Sequence, residues 1–364
     1  MHYLDYQATT PLAPEALEAM LPWLAGPGGD GFANPSSQYR AGRAAAAAVE
    51  VARDQVAALL PKGGRVYFTS GATEALNWAV ASGARLRPGG VTGSAIEHHG
   101  VLQRLEDAGA PLIPVGPDGL VPPPEDAVLP QNGLVALMLV NNEVGTIQPV
   151  AAYAEAAHAS GSLLLCDAVQ AYGRVPIPEG PDLIAISAHK IHGPKGIGAL
   201  WVRDGLRLPP FILGGGQEQN MRSGTVSPAL VAGFGAAAKL AAARWEQDAA
   251  HVARLWDVAL ERLAGWTVNG SVGRRYHGNL NVRREGVNAL RLLSDVRSVA
   301  FSLGSACGSG SGKTSHVLRA MGLDERATHA SLRLGWGRYT TEEELRTALG
   351  LIVAAADRQL DLAA

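Results

Sequence analysis

Between Arg65 and Val202 short apolar runs alternate with stretches of helical character. The runs are VYFT, LIPV, LVALMLV, SLLLC, DLIAIS and GALWV, and among the helical stretches are TEALNWAVASGA and VAAYAEAAHAS. Such runs lack the in-and-out alternation of a half-exposed strand, so they predict strands buried on both faces. Their alternation with helices predicts an α/β fold with a mostly parallel central sheet flanked by helices. In such sheets ligands belong beyond the carboxyl ends of the strands. Upstream, AGRAAAAAVEVARDQVAALL (Ala41 to Leu60) has the composition of a helix. After Gly224 the pattern changes. A long helical region is expected from Pro228 to about Leu263, then strand-like LNVR, helical VNALRLLSDVR, strand-like VAFSL and a final helix. That helix opens with TTEEE, a capping-box start, and places Leu345, Leu349, Ile352 and Ala356 on one face. The expected organisation is a large domain over 13–246 and a smaller α+β domain built from 1–12 and 247–364. No repeat of fixed period is visible, which excludes a solenoid.

Composition narrows the partners. The 364 residues are 47% hydrophobic and 18% charged, enough to bury a sizeable core. A net charge of −2 with interspersed signs gives no footprint for nucleic acid or an anionic membrane, so the expected partners are small molecules and proteins. MHYLDYQATT lacks the regions of a signal peptide, and the most apolar later stretch, around Leu230 to Ala243, is interrupted by Lys239. The expected location is the cytoplasm. Two cysteines, Cys166 and Cys307, stand far apart in unlike surroundings and suggest neither a disulfide framework nor a metal cluster.

The candidate chemistry lies at strand ends. SLLLC runs into Asp167 and DAVQA; DLIAIS ends in Ser187 and leads to Ala188, His189 and Lys190. In a parallel sheet these ends share one edge, where an acid and a lysine can converge. Each alone also reads as a helix cap or a surface charge. VYFT leads into Ser70-Gly71-Ala72-Thr73-Glu74 and a helix, an arrangement that offers backbone N–H groups and a positive helix end to an anion. A phosphate cradle, a lysine for a Schiff base and a carboxylate for a pyridine nitrogen are together the requirements of pyridoxal 5'-phosphate. Lys195 in HGPKG competes with Lys190 for the Schiff base, and Lys190 is the nearer to a strand end.

In order along nearly the whole chain, LDYQATTPL, ANPSS, TSGATEA, EHHGVL, NNEVG, DAVQA, SAHKIHGPKGIGAL, GGGQEQNMRSGT, GSACGSGS, SHVLRAMGL and RLGWGRYTTEEE resemble the NifS/IscS-type cysteine desulfurases, which are class V aminotransferase-like enzymes of PLP fold type I. The resemblance implies that Lys190 carries the cofactor and Asp167 partners its ring nitrogen. It implies Gln170 at the phenolic oxygen, His98 stacked on the ring as a catalytic residue, and Asn142 beside it. Ala72, Thr73, Ser187 and His189 would hold the phosphate, and Thr225 would reach the phosphate of the other subunit of a homodimer. Arg333, with Asn34 and Asn142, would bind the substrate L-cysteine; a guanidinium suits a planar carboxylate. Cys307 would accept the sulfur as a persulfide and pass it to a protein acceptor, an iron–sulfur scaffold or another sulfur carrier. A selenocysteine lyase or another enzyme of the same class is the alternative.

The two cysteines read differently. Cys166 ends an apolar run and is expected to be a buried, inert thiol. Cys307 stands among glycine and serine, a composition suited to a reachable loop. The neighbouring Gly310-Ser311-Gly312-Lys313-Thr314 imitates the end of a P-loop, but the motif needs a glycine where Cys307 stands. The sequence departs from the resembled pattern at Gln7, Ala188 and Gln217 and after the cysteine, and the longer tail of the family is expected to be absent.

Overall fold

A computed structural model describes residues 1–303 and 314–362. β1 (His2–Tyr3), α1 (Pro14–Met20) and α2 (Arg40–Ala57) precede the central sheet. That sheet comprises β2 (Gly64–Thr69), β3 (Val91–Ser94), β4 (Leu112–Ile113), β5 (Leu134–Met138), β6 (Leu163–Asp167), β7 (Leu183–Ser187) and β8 (Gly198–Arg203), in the order β2-β8-β7-β6-β5-β3-β4. From β7 to β4 all pairings are parallel, whereas β8 runs antiparallel to both β7 and β2. The short turn between β7 and β8 dictates this reversal, because a parallel partner needs a crossover of a dozen or so residues.

Helices α3 (Ala72–Leu86), α4 (His99–Asp107), α5 (Val150–Ala159) and α6 (Pro228–Ala243) complete the layers. The apolar runs feed two cores at once. In β6, Leu164 and Cys166 pack into the cluster that contains α2, α5 and α6, while Leu163 and Leu165 join the one containing α3 and α4. LIPV contributes only Leu112 and Ile113 to the sheet edge, since Pro114 has no N–H for the ladder.

The expected long helix is broken. α6 stops at Ala243 and α7 (Trp245–Arg262) starts one residue later, with Arg244 at φ −109° and ψ 7° between them. The break lets α6 pack on α1 and α2 while α7 packs on the last helix, α11 (Glu342–Asp361). The remaining elements are β9 (Thr267–Val268), β10 (Asn279–Arg283), α8 (Ala289–Asp295), β11 (Val299–Ala300), β12 (Ser302–Leu303), α9 (His316–Ala320), α10 (Glu325–His329) and β13 (Ser331–Gly335). VAFSL is two strands, not one: β11 pairs in parallel with β1, and past Phe301 β12 pairs antiparallel with β13. The second sheet has the order β12-β13-β10-β9.

α11 opens with the capping box of Thr341 and Glu344, and Leu345, Leu349, Ile352 and Ala356 are fully buried. Their cluster includes Leu4 from the start of the chain as well as Val252 and Leu255 of α7. On this packing we propose 13–246 as one domain and 1–12 with 247–364 as the other. Among the described residues no helix is long and apolar enough to cross a membrane, and no group of His, Cys, Asp and Glu is placed to hold a metal.

Candidate active site at the carboxyl edge of the sheet

β2, β6 and β7 end on a cavity of about 580 Å³, within the size range of small-molecule sites. On one side β2 turns through Ser70 and Gly71 into α3. The Ser70 N–H and hydroxyl both donate to Glu74 Oε2, at 2.8 and 2.5 Å, and Arg222 donates to Glu74 from Nε at 2.7 Å. Burial works to raise the Glu74 carboxyl, but Arg222 and Ser70 outweigh it and hold it below its usual range. The charge of Glu74 is thereby neutralised locally. Ala72 and Thr73, in the first turn of α3, have N–H groups with no intrahelical acceptor, and both residues line the cavity. Gly198 of β8 backs this turn. A Cβ there would lie 2.7 Å from the Gly71 carbonyl carbon and 2.8 Å from the Ala72 nitrogen, so only glycine permits the approach.

Opposite stand the acid and the lysine. Asp167 is the last residue of β6, and Lys190 closes the short 3-10 turn after β7. The Lys190 Nζ donates to the carbonyls of Gln7 and Ala8, at 2.5 and 2.8 Å. The N-terminal segment therefore forms a wall of the site, and Thr9 Oγ1 lies 3.1 Å from His189 Nδ1. Asp167 Oδ1 accepts from the Val169 N–H at 3.0 Å. Burial pushes the Asp167 carboxyl up to about 6, against the lowering pull of that N–H and of Lys190.

Gln170 is held at both ends of its amide: Nε2 donates to the Gln7 carbonyl at 2.9 Å, and Oε1 accepts from Arg174 at 2.8 Å. His98 caps α4, its Nδ1 accepting from the Gly100 N–H at 3.0 Å, which leaves the proton on Nε2. Burial first, then Lys190, His99 and His316, push its imidazole down to about 4, so it is neutral near pH 7. Burial with Lys190 does the same to His189. Arg333, in the centre of β13, is 1% exposed and lines the cavity. It pairs with Asp5 at 2.7 Å and donates to the Asn142 carbonyl at 3.1 Å, while its buried Nε has no partner among the described residues.

Ala72, Thr73, His98, Asn142, Asp167, Gln170, Ser187, His189, Lys190 and Arg333 thus meet on one cavity, and Lys195 lines it too. Asn34 and Thr225 do not line it. Asn34 is exposed, with Oδ1 accepting from the Ser36 N–H, and Thr225 is exposed on the loop before α6. Cys307 lies outside the described residues. Cys166 is fully buried in β6, and burial pushes its thiol well above the usual range. The sequence pattern assigned no role to the Gln7 and Ala8 carbonyls, Asp5 or Arg174, although LDYQATT contains Asp5, Gln7 and Ala8 and Arg174 follows soon after DAVQA.

Glu143, next to Asn142, accepts a hydrogen bond from Ser315 Oγ; burial raises its carboxyl to about 7, opposed by that hydroxyl and by Arg333. Its proton is held more tightly in the folded chain than in the unfolded one. Its contribution to stability is full at low pH and is lost as pH rises from about 4.5 through about 7. Glu143→Gln keeps an acceptor for Ser315 and removes the ionisation. The stability of this variant relative to the parent is expected to rise from about pH 5 to about pH 8, measured as denaturant midpoints of the cofactor-free chains. A difference that stays flat with pH would contradict the assignment.

The residues present fit pyridoxal phosphate. First-turn N–H groups that glycine alone can back suit its phosphate, the carboxylate of Asp167 calls for a protonated nitrogen, and Lys190 supplies the amine. The Aminotransferase class-V family profile matches residues 2–347. "Cysteine desulfurase IscS" of Rickettsia bellii is 40% identical over 99% of this chain and 92% of that protein. Among solved structures, a "NifS-like protein" superposes with a TM-score of 0.88 at 30% identity, covering 98% of this chain and 99% of its own. "SspA in complex with cysteine" does so with a TM-score of 0.80 at 32% identity, over 94% of this chain and 100% of the other. Fold, cavity and relatives agree: the chain belongs to the class-V aminotransferase family, among the pyridoxal-phosphate-dependent cysteine desulfurases of the IscS and NifS kind.

Proposed function

We propose that this enzyme converts L-cysteine to L-alanine and carries the sulfur as a persulfide on Cys307. The observation that carries the reading is the convergence of Lys190 and the buried Asp167 on one cavity that also receives the first turn of α3. The cofactor supplies an aldehyde for the substrate amine and a ring that stores an electron pair. Asp167 would hold a proton on the ring nitrogen, Gln170 would offer the second N–H of Nε2 to the phenolic oxygen, and Ala72, Thr73, Ser187 and His189 would hold the phosphate. Thr225 completes the phosphate site of the other subunit in a homodimer.

Arg333 takes the substrate carboxylate, and Asn142, which also lines the cavity, completes the substrate site. The Lys190 amine would move the proton at Cα. His98, neutral and with its proton on Nε2, would stand beside the cofactor's ring and could donate to the reacting groups without adding positive charge. The Cys307 thiolate then attacks the substrate sulfur: the Cβ–S bond breaks, a sulfur–sulfur bond forms, and Cβ takes a proton. Cysteine and thiol become alanine and persulfide, with both sulfurs oxidised and Cβ reduced. The sulfur passes in the cytoplasm to a protein acceptor, an iron–sulfur scaffold or a sulfur carrier.

In a single turnover without reductant, the holoenzyme is expected to release alanine and to retain an equal amount of sulfur on the protein, discharged by dithiothreitol. Failure to form alanine, or alanine accompanied only by free sulfide, would overturn the reading.

A further inference from the structure

Asp5 uses both of its carboxylate oxygens. Oδ1 accepts from Arg333 Nη2 at 2.7 Å, and Oδ2 accepts from Ser302 Oγ at 2.9 Å. Ser302 starts β12 and stands opposite Arg333 in the antiparallel register, and the sequence runs from β12 on to Cys307. One acid therefore holds the guanidinium on one side and, on the other, the strand leading to the sulfur-accepting residue. Asp5 is itself fixed: its carbonyl accepts from the Ala8 N–H at 2.9 Å and the Tyr3 hydroxyl at 3.2 Å, and it bridges to Gly335 at the end of β13. A matching contact stands on the far side of that stretch of sequence. Ser315, the cap of α9, donates to Glu143, which adjoins the Asn142 whose carbonyl takes Arg333 Nη1.

We propose that Asp5 is a positioning residue for the desulfurase reaction: it aims Arg333 at the substrate carboxylate and, through Ser302, keeps that grip in register with the strand leading to Cys307. The inference rests on the desulfurase reading of the site. Its physical basis is that sulfur transfer needs the thiolate within roughly 3–3.5 Å of the substrate sulfur. β13, which carries Arg333, and β12, which precedes Cys307 in sequence, share Asp5 as a common anchor. With Nη1 on Asn142 and Nη2 on Asp5, the guanidinium has two fixed corners where it lines the cavity.

The test uses the holoenzyme and two readouts: the Kd of L-alanine, from the visible absorbance of the bound cofactor, and the single-turnover rate of protein persulfide formation at saturating L-cysteine. Asp5→Ala is expected to weaken L-alanine about tenfold, the loss of one charge-assisted contact, and to slow persulfide formation as well. Asp5→Asn, which still accepts from Nη2 through Oδ1, is expected to hold the Kd within about threefold of the parent. Ser302→Ala is expected to leave the Kd unchanged and slow persulfide formation alone. An Asp5→Ala enzyme with the parental Kd, an Asp5→Asn enzyme as weak as the alanine variant, or a Ser302→Ala enzyme with the parental persulfide rate would overturn the proposal. Should Asp5→Ala fail to fold, the other two variants decide. Arg333→Lys separates the layers: if it leaves the Kd of L-alanine unchanged, the role of Arg333 itself is wrong, whatever Asp5 does.

Discussion

Replacing Lys190 by alanine is expected to abolish turnover of L-cysteine and to remove the visible absorbance due to the covalent link between cofactor and protein. The amine is held by two backbone carbonyls, at 2.5 and 2.8 Å, at the mouth of β7 and in the same cavity as Asp167. On the proposed reading it does two jobs from one position, anchoring the cofactor and moving the Cα proton. Loss of the proton transfer alone costs about 10²- to 10⁴-fold, and loss of the anchor adds to it. Added small amines should restore part of the proton transfer without restoring the anchor. If the absorbance survived in the variant, the attachment would move to Lys195, which also lines the cavity.

Cys307→Ala is expected to eliminate protein-bound sulfur while leaving cofactor absorbance and L-alanine binding intact. The two variants thus fail at different stages, and the contrast identifies the nucleophile. No second thiol can substitute. The chain has only one other cysteine, and Cys166 is fully buried in β6 with its thiol pushed well above the usual range by burial. A thiolate is the attacking species, so a buried neutral thiol cannot take the sulfur. Continued persulfide formation by the variant would show that the assigned nucleophile is wrong. Mass spectrometry of the protein after one turnover reads the outcome directly, as the added mass of one sulfur atom.

How much of this was legible beforehand depended on the kind of signal. SLLLC and DLIAIS announced two buried strands, and their polar ends placed Asp167 and Lys190 on one edge, because strand direction and side-chain chemistry are both written in local sequence. The final helix was legible for the same reason, with its capping box and its stripe of Leu345, Leu349 and Ile352. The reversal of β8 was not, since apolar composition does not distinguish antiparallel from parallel when both faces are buried. The break at Arg244 lies between two good helical sequences and reflects what each half packs against. The wall formed by Gln7 and Ala8 acts through carbonyl groups, which every residue has, so side-chain identity carried no trace of it. The pair of Asp5 and Arg333 joins the two ends of the chain and emerges only once β1 has found β11.

That meeting of the two ends bears on when the enzyme can first function. The carbonyls that hold the Lys190 amine belong to Gln7 and Ala8, but what places that segment is made more than 200 residues later. Leu4 packs in the core formed with α7 and α11, β1 pairs with β11, and the Leu4 carbonyl receives the Gly335 N–H. During synthesis the first ten residues emerge long before any of these partners exist. The central sheet can form around Asp167 and Lys190 while the wall beside them is still missing. Contacts between such distant positions form late. Completion of the reactive site is therefore coupled to the synthesis of α7, β11, β13 and α11, and a nascent polypeptide carries the lysine long before it has the surroundings that make the lysine useful.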